Sequence, residues 1–283
     1  MTDAAALHRE QVDYWNGVGG QHWVDQQRRT DQMMEGIRDV LLAHAALGRG
    51  TRVLDIGCGC GDTTAAIADV VGATGKVVGL DVSAPMIKLA QTRLNGRANV
   101  DFVCADAATA TLPPADVLVS RFGVMFFGNP DAAFANLRKS LAPTGRLVFV
   151  CWRKFDENPW MQIPLFAAYE HVPRLPKLGP EDPGPFSFAD TERVRRILTS
   201  AGFALPRFTP RDVVMDISGG EGLEGAVYQT AHVGATSRAL DGQPEAARNA
   251  AIASVRKALT PFATPTGVLL KGSVWVVEAQ QGS

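Results

Sequence analysis

The chain has 283 residues, 46% of them hydrophobic and 20% charged, which is room for one α/β domain carrying additions. Its 28 basic and 29 acidic side chains leave a net charge of -1, which offers no electrostatic footprint for nucleic acid or anionic lipid. Four cysteines, Cys58, Cys60, Cys104 and Cys151, are too few for a disulfide framework and match no zinc spacing, and no apolar run approaches a membrane span.

The opening MTDAAALHREQVDYW lacks a basic segment followed by an apolar core, so the expectation is a cytoplasmic protein with reduced thiols and no bound metal. Polar and aromatic residues at helical spacing over 7–47 predict a short helix, a glycine hinge at 17–20 and a longer helix ending at Leu47, together an N-terminal cap over 1–50. From Arg52 the texture changes. RVLDI, KVVGLD, VDFVCAD, ADVLVS and RLVFVCW are continuous apolar runs, separated by helical patterns such as DTTAAIADVV, APMIKLAQTRL and PDAAFANLRKSL. Runs of this kind are strands buried on both faces, and crossovers of about a dozen residues suit right-handed parallel connections, so 51–153 reads as a doubly wound, Rossmann-like α/β core. Beyond it, NPWMQIPLFAAYEHV predicts a helix and VPRLPKLGPEDPGPFS an irregular loop, an insertion or lid over 154–187. The part at 188–283 should complete the sheet and the substrate pocket. It carries a helix from Asp190 to Ala201 stopped by Gly202, a strand near Val213, two alanine-rich helices and a last strand in GVLLKGSVWVVEAQ.

The segment VLDIGCGCGDTTAAIA puts Gly57, Gly59 and Gly61 between the first strand and a helix, where backbone amides can approach a ligand because side chains are missing. A dinucleotide fingerprint requires a third glycine where this chain has Asp62, and a P-loop requires the absent Lys-Ser/Thr pair. Asp55 and Asp62 flank the loop; two carboxylates repel a pyrophosphate and favour an ammonium group. Asp81 ends the second run, suited to a ribose diol, and Asp106 follows the third, suited to an exocyclic amine. Ribose, amine and cation together describe S-adenosylmethionine.

The ordered series DIGCGCG, GLD with Asp81 and CAD with Asp106 resembles the class I S-adenosylmethionine-dependent methyltransferases, over 51–152. The resemblance implies a seven-stranded, mostly parallel sheet whose last strand, WVVEA, is antiparallel. It also implies roles. Asp55 would steady the methionine ammonium, Gly57, Cys58 and Gly59 would line the methionyl part, and Asp81 would hold the ribose. Asp106 with Ala107 would meet adenine, Val82 and Met86 would pack on its faces, and Ser120, Arg121 and Phe122 would border the methyl group. YWNGVGGQHW is similar to the opening of bacterial small-molecule members of this branch, and Tyr14, Trp15 and Trp23 are candidates to cover the cofactor, since an aromatic face stabilises a sulfonium. Read plainly, they pin the helices to the sheet.

Among His22, His171 and His232, His22 is the candidate base because it lies in the aromatic opening. Phe126 and Trp152, at strand ends, join Tyr14 and Phe122 as candidates for the substrate pocket. The small loop side chains of Cys58 and Cys60 have no further ligands nearby and read as lining, not chemistry. Asn158-Pro159-Trp160 hints at the element of DNA amino-methylases but follows the fifth strand, not the fourth, and there is no basic surplus. The expectation is a methyltransferase acting on a small-molecule acceptor by in-line displacement, with no nucleic acid or membrane partner. The alternative is a non-catalytic cofactor-binding or regulatory protein of the same fold. An apolar helix in the second half is compatible with a homodimer.

Overall fold

The continuous apolar runs fold into the parallel strands β1 (Arg52–Ile56), β2 (Lys76–Asp81), β3 (Val100–Cys104), β4 (Ala115–Arg121) and β5 (Leu141–Trp152) of a computed structural model that describes residues 4–179 and 181–282. Val53, Leu54, Val117, Leu118 and residues 147–150 are almost fully buried, as strands covered on both faces must be. β6 (Phe203–Asp216), β7 (Ala263–Thr264) and β8 (Gly267–Gln281) complete the sheet in the order β3-β2-β1-β4-β5-β8-β6. β8 runs antiparallel between β5 and β6, with Phe149 opposite Val277 and Phe208 opposite the same residue. The seven-strand expectation therefore describes the main path. The eighth strand is the two-residue β7, which pairs with the start of β8 at Val268 and Gly267.

The crossover helices are α5 (Asp62–Val71), α6 (Ala84–Arg93) and α7 (Pro130–Ser140), with α9 (Thr191–Ser200) leading into β6. Asn129 caps α7 by accepting from Ala132 N at 3.1 Å, and Asp190 caps α9 by accepting from Glu192 N at 2.9 Å. Gly202, at φ +88°, ends α9 as its position suggests. α8 (Pro159–Ala168), α10 (Gly222–His232), α11 (Gly234–Leu240) and α12 (Glu245–Leu259) form the second-half layer, with α8 packed against α11, α12 and β8. Three helices thus stand where two were expected, because the chain turns at Val233 and Gly234.

The N-terminal helices also depart from expectation. α1 (Ala4–Asn16) ends at Gly17, and what reads as one longer helix is α2 (Val18–Asp25), α3 (Gln27–Met33) and α4 (Glu35–Ala45). Gly19 and Gly20 lie inside α2 rather than in a hinge. Their lack of a side chain is used for close approach: a Cβ on Gly19 would stand 2.3 Å from the Tyr14 ring, and one on Gly20 2.0 Å from the Trp15 carbonyl oxygen. α1 and α2 can fold on each other only with glycine there. α4 packs across β4, β5, β6 and β8, its Ile37 and Leu41 fully buried.

Candidate functional site

The loop after β1 is built by three glycines in left-handed conformations, Gly57, Gly59 and Gly61, with φ of +66°, +53° and +85°. Gly57 meets the turn after β4 backbone to backbone, since a Cβ there would fall 2.5 Å from Gly123 Cα. Gly57 N and Cys58 N donate to Leu80 O at 2.8 and 3.1 Å, and Ser120 Oγ donates to Ile56 O at 2.7 Å. The carboxyl ends of β1, β2 and β4 are thereby locked together around one edge of the sheet.

The aspartates gather on that edge. Asp81 is buried at the end of β2; Oδ2 accepts from Gly59 N at 2.8 Å and Oδ1 from Ser83 N at 2.9 Å. Asp55 is buried beneath the loop, where Oδ2 accepts from Thr64 Oγ1 at 2.6 Å and Oδ1 has no partner among the described residues. Burial, against the lowering Thr64 hydrogen bond and Arg121 and helped by the neighbouring charges of Asp81 and Asp62, holds the Asp55 carboxyl up at about 7. Asp62 is not free to receive a ligand cation: its two oxygens pair with Arg121 at 2.7 Å and Arg38 at 3.1 Å. The expectation of two ammonium-binding carboxylates reduces to one, because β4 and α4 each bring an arginine to the start of α5. Asp106, after β3, accepts from Ala108 N at 2.9 Å and lies 3.4 Å from His8 Nε2 of α1. Ala107 is buried beside it, and its carbonyl accepts from Asn136 at 3.0 Å. Met86 is buried against the loop, its sulfur 3.8 Å from where a Gly59 Cβ would stand.

Asp55 Oδ1 and the buried Thr63 Oγ1, both without a partner among the described residues, lie beside the left-handed glycine loop. That is the donor and acceptor set an amino-acid tail requires.

Residues 53–145, from β1 through the glycine loop, Asp81 and Asp106, match the family described as "Methyltransferase domain". That segment is a methyltransferase domain, and the matches support a class I S-adenosylmethionine-dependent methyltransferase. Curated relatives include the ubiquinone/menaquinone biosynthesis C-methyltransferases UbiE of Hydrogenovibrio crunogenus, 28% identical over 61% of this chain and 75% of that protein, and of Erwinia tasmaniensis, 28% identical over 55% and 67%. Among solved structures, an S-adenosylmethionine-dependent methyltransferase from Aquifex aeolicus matches with a TM-score of 0.50 at 17% identity over 99% of this chain and all of that one (100%). A phosphoethanolamine N-methyltransferase from Haemonchus contortus, bound to phosphomonomethylethanolamine and S-adenosylhomocysteine, matches with a TM-score of 0.51 at 17% identity over 87% of this chain and 52% of that one. Likeness at that identity shows the shared fold. Methyl transfer from S-adenosylmethionine to a small-molecule acceptor is the reaction class these matches support.

The cap of the methyltransferase lies over the same edge. The Trp15 ring stands edge-on to Phe126 at 5.0 Å and to Trp23 at 6.3 Å, and Trp23 O is 4.0 Å from Cys60 Sγ. Phe122, in a left-handed conformation at φ +70°, stacks on Trp152 at 4.2 Å, and Trp152 meets Trp160 at 4.9 Å. Phe122 and Trp152 are buried, whereas Trp15, Trp23, Phe126 and Trp160 keep partial exposure. His22, Tyr14 and Trp23 line a small cleft of about 20 Å³ between α2 and the turn joining α10 to α11, together with His232, Ser237 and Arg238. Cys58 and Cys60 are buried thiols, the latter pushed up to about 12 by burial, and among the described residues no group of three or more His, Cys, Asp or Glu could hold a metal. Asn158 serves structure: it accepts from Ser273 N at 2.8 Å and from Trp160 Nε1 at 3.2 Å.

The sequence pattern assigns Thr63 and Thr64 only to the start of a helix and carries no signal for the arginine pair on Asp62. Asn16, although inside the quoted W-N-G, carried no expected role. Two of its partners in the fold are 66 and 68 residues away.

Proposed function

We propose that the protein holds the methionyl end of S-adenosylmethionine at Asp55, Gly57, Cys58 and Gly59, the ribose at Asp81, and adenine between Val82, Met86, Asp106 and Ala107. The cofactor supplies an electrophilic methyl group on a sulfonium. The cap, from α1 through α4, closes over it with Trp15 and Trp23, whose faces stabilise the positive charge and exclude water. Arg121 neutralises Asp62, so that Asp55 alone answers the ammonium. The protein's main catalytic device is to hold an acceptor atom in line behind the methyl, which is able to supply several kcal/mol. The acceptor enters beside Tyr14, Phe122 and Phe126 with Trp152 backing the wall, and His22 takes a proton where the acceptor must lose one.

The observation that carries this reading is the buried, half-partnered Asp55 beneath a left-handed glycine loop, adjoining Asp81 at the next strand end. The acceptor class we propose is a small, partly apolar molecule, with ring-carbon acceptors of the quinol type, suggested by the names of the curated relatives, tested first. The protein works in the cytoplasm without a nucleic acid or membrane partner; no helix among the described residues is long and apolar enough to cross a membrane. Calorimetry with S-adenosylhomocysteine tests the cofactor site, and micromolar or tighter binding is expected. Release of that product when the enzyme, S-adenosylmethionine and a panel of acceptors are mixed separates catalysis from cofactor binding alone. No product with any fraction of a complete metabolite extract would leave the non-catalytic alternative standing.

A further inference from the structure

Trp15 and Asn16, at the end of α1, reach the turn between β2 and α6 with three directional hydrogen bonds. The Asn16 carboxamide behaves as a peptide group: Ala84 N donates to its Oδ1 at 3.0 Å, and its Nδ2 donates to Val82 O at 3.1 Å. Ser83 Oγ, fully buried as part of its residue, donates to Trp15 O at 2.6 Å. A second bond from Asn16 Nδ2, to Val12 O of its own helix at 2.9 Å, holds the carboxamide in this orientation.

Ser83 sits at the N-cap of α6, where a serine oxygen ordinarily accepts an amide of the first turn. It makes no such bond and turns its hydroxyl to the cap instead. The first amide of α6 is then satisfied from outside the helix, by Asn16. Each element completes the other. The turn is also tied to the cofactor edge, because Ser83 N donates to Asp81 Oδ1 at 2.9 Å while Asp81 Oδ2 accepts from Gly59 N at 2.8 Å.

Resting on the cofactor assignment above, we infer that Asn16 is a positioning residue: it latches the α1–α2 cap to the Val82, Ser83 and Ala84 turn and so sets how fast the demethylated product leaves. Cofactor exchange at the edge beneath Trp15 requires these three bonds to break together, uncapping α6 as the cap lifts. A ribose held by Asp81 fixes Ser83 and hence favours the closed latch, so the cap responds to an occupied site. The Trp15 ring, edge-on to Phe126, travels with it. Simple packing of α1 against the core would need no reciprocal carboxamide pairing and no serine diverted from its helix.

Stopped-flow tryptophan fluorescence, reporting S-adenosylhomocysteine released from the full chain into excess competitor, tests the latch. Asn16→Ala and Ser83→Ala should each speed release about tenfold, the effect of losing one or two such hydrogen bonds. The double variant should be within about twofold of the faster single variant, because both lose the same event. Release within twofold of wild type in both single variants, rates that multiply in the double variant, or a gain in rate that only tracks lost thermal stability of the unliganded protein would overturn the inference. Should Asn16→Ala fail to fold, hydrogen exchange on the wild type decides: the Ala84 amide should gain at least about tenfold protection on binding S-adenosylhomocysteine, and unchanged exchange overturns the latch. Absence of binding to the wild type overturns the cofactor assignment and the latch together, whereas tight binding with unaltered release overturns the latch alone.

Discussion

At the scale of single residues, the buried carboxylates govern the chemistry and make it testable. Replacing Asp81 by Ala removes the acceptor for Gly59 N and Ser83 N, and with it the proposed ribose partner. We expect S-adenosylhomocysteine to bind about 1 to 3 kcal/mol more weakly by calorimetry, the cost of a lost charged hydrogen-bond partner. Asp55 makes a prediction in pH. Its carboxyl is raised by burial from 3.8 to about 7, so between these values the folded chain keeps a proton that the unfolded chain has lost. Its contribution to stability is present at low pH and is lost as pH rises through about 7. A ligand ammonium beside it favours the ionised form, so binding at pH 6 should release a proton and affinity should climb with pH up to that value. Calorimetry in two buffers of different ionisation enthalpy measures the release, and Asp55→Asn should abolish it. Asp55, Asp81 and Asp106 stood out in the sequence because each follows an apolar run. Their burial, the empty acceptor on Asp55 and the arginines on Asp62 did not, because each depends on side chains brought from elsewhere in the chain.

At the scale of elements, the parallel strands and their crossovers were legible because a strand buried on both faces needs an unbroken apolar run. The cap was read less well. Gly19 and Gly20 look like a hinge in sequence, whereas packing of α1 on α2 uses them to bring Tyr14 and Trp15 into contact distance. Gly20→Val should therefore force α1 from α2, costing about 1 to 3 kcal/mol of overpacking, and expose α1 and α2 to limited proteolysis while the sheet keeps its circular dichroism. Proteolysis as slow as in wild type would show that the two helices have room to spare. β6 was expected only near Val213 but spans Phe203–Asp216, passing through Pro206 and Pro210. Those prolines are tolerated because β6 is an edge strand, pairing on one side only with β8. Asn158, in a tripeptide with the look of a catalytic element, bridges the end of β5 to β8. Asn158→Ala should lower stability to urea by roughly 2 to 3 kcal/mol, as expected for breaking a buried hydrogen-bond network.

At the scale of the whole molecule, the sheet, the cap and the second-half helices enclose one edge, so a ligand there should stabilise the entire fold. S-adenosylhomocysteine at a hundred times its dissociation constant adds about 2.7 kcal/mol. For a chain of this size that is a rise of roughly 4 to 5 °C in melting temperature, measurable by scanning calorimetry. A flat response would mean that binding and folding are uncoupled, contrary to a ligand gripped by three strand ends and a cap. The cleft between α2 and the α10–α11 turn belongs to this scale as well, because His22 and His232 line it from opposite ends of the chain.

The reaction class and the core fold were determined by the sequence itself, since hydrophobic runs, glycines and acids at successive strand ends are local features, each set by a few neighbouring residues. Tertiary structure alone decided which acids remain unpaired, how α1 folds back on α2, and that Asn16 completes a helix 68 residues further on. Those outcomes depend on contacts between distant segments, where burial and charge are set by which surfaces meet, and no single stretch of chain carries that information.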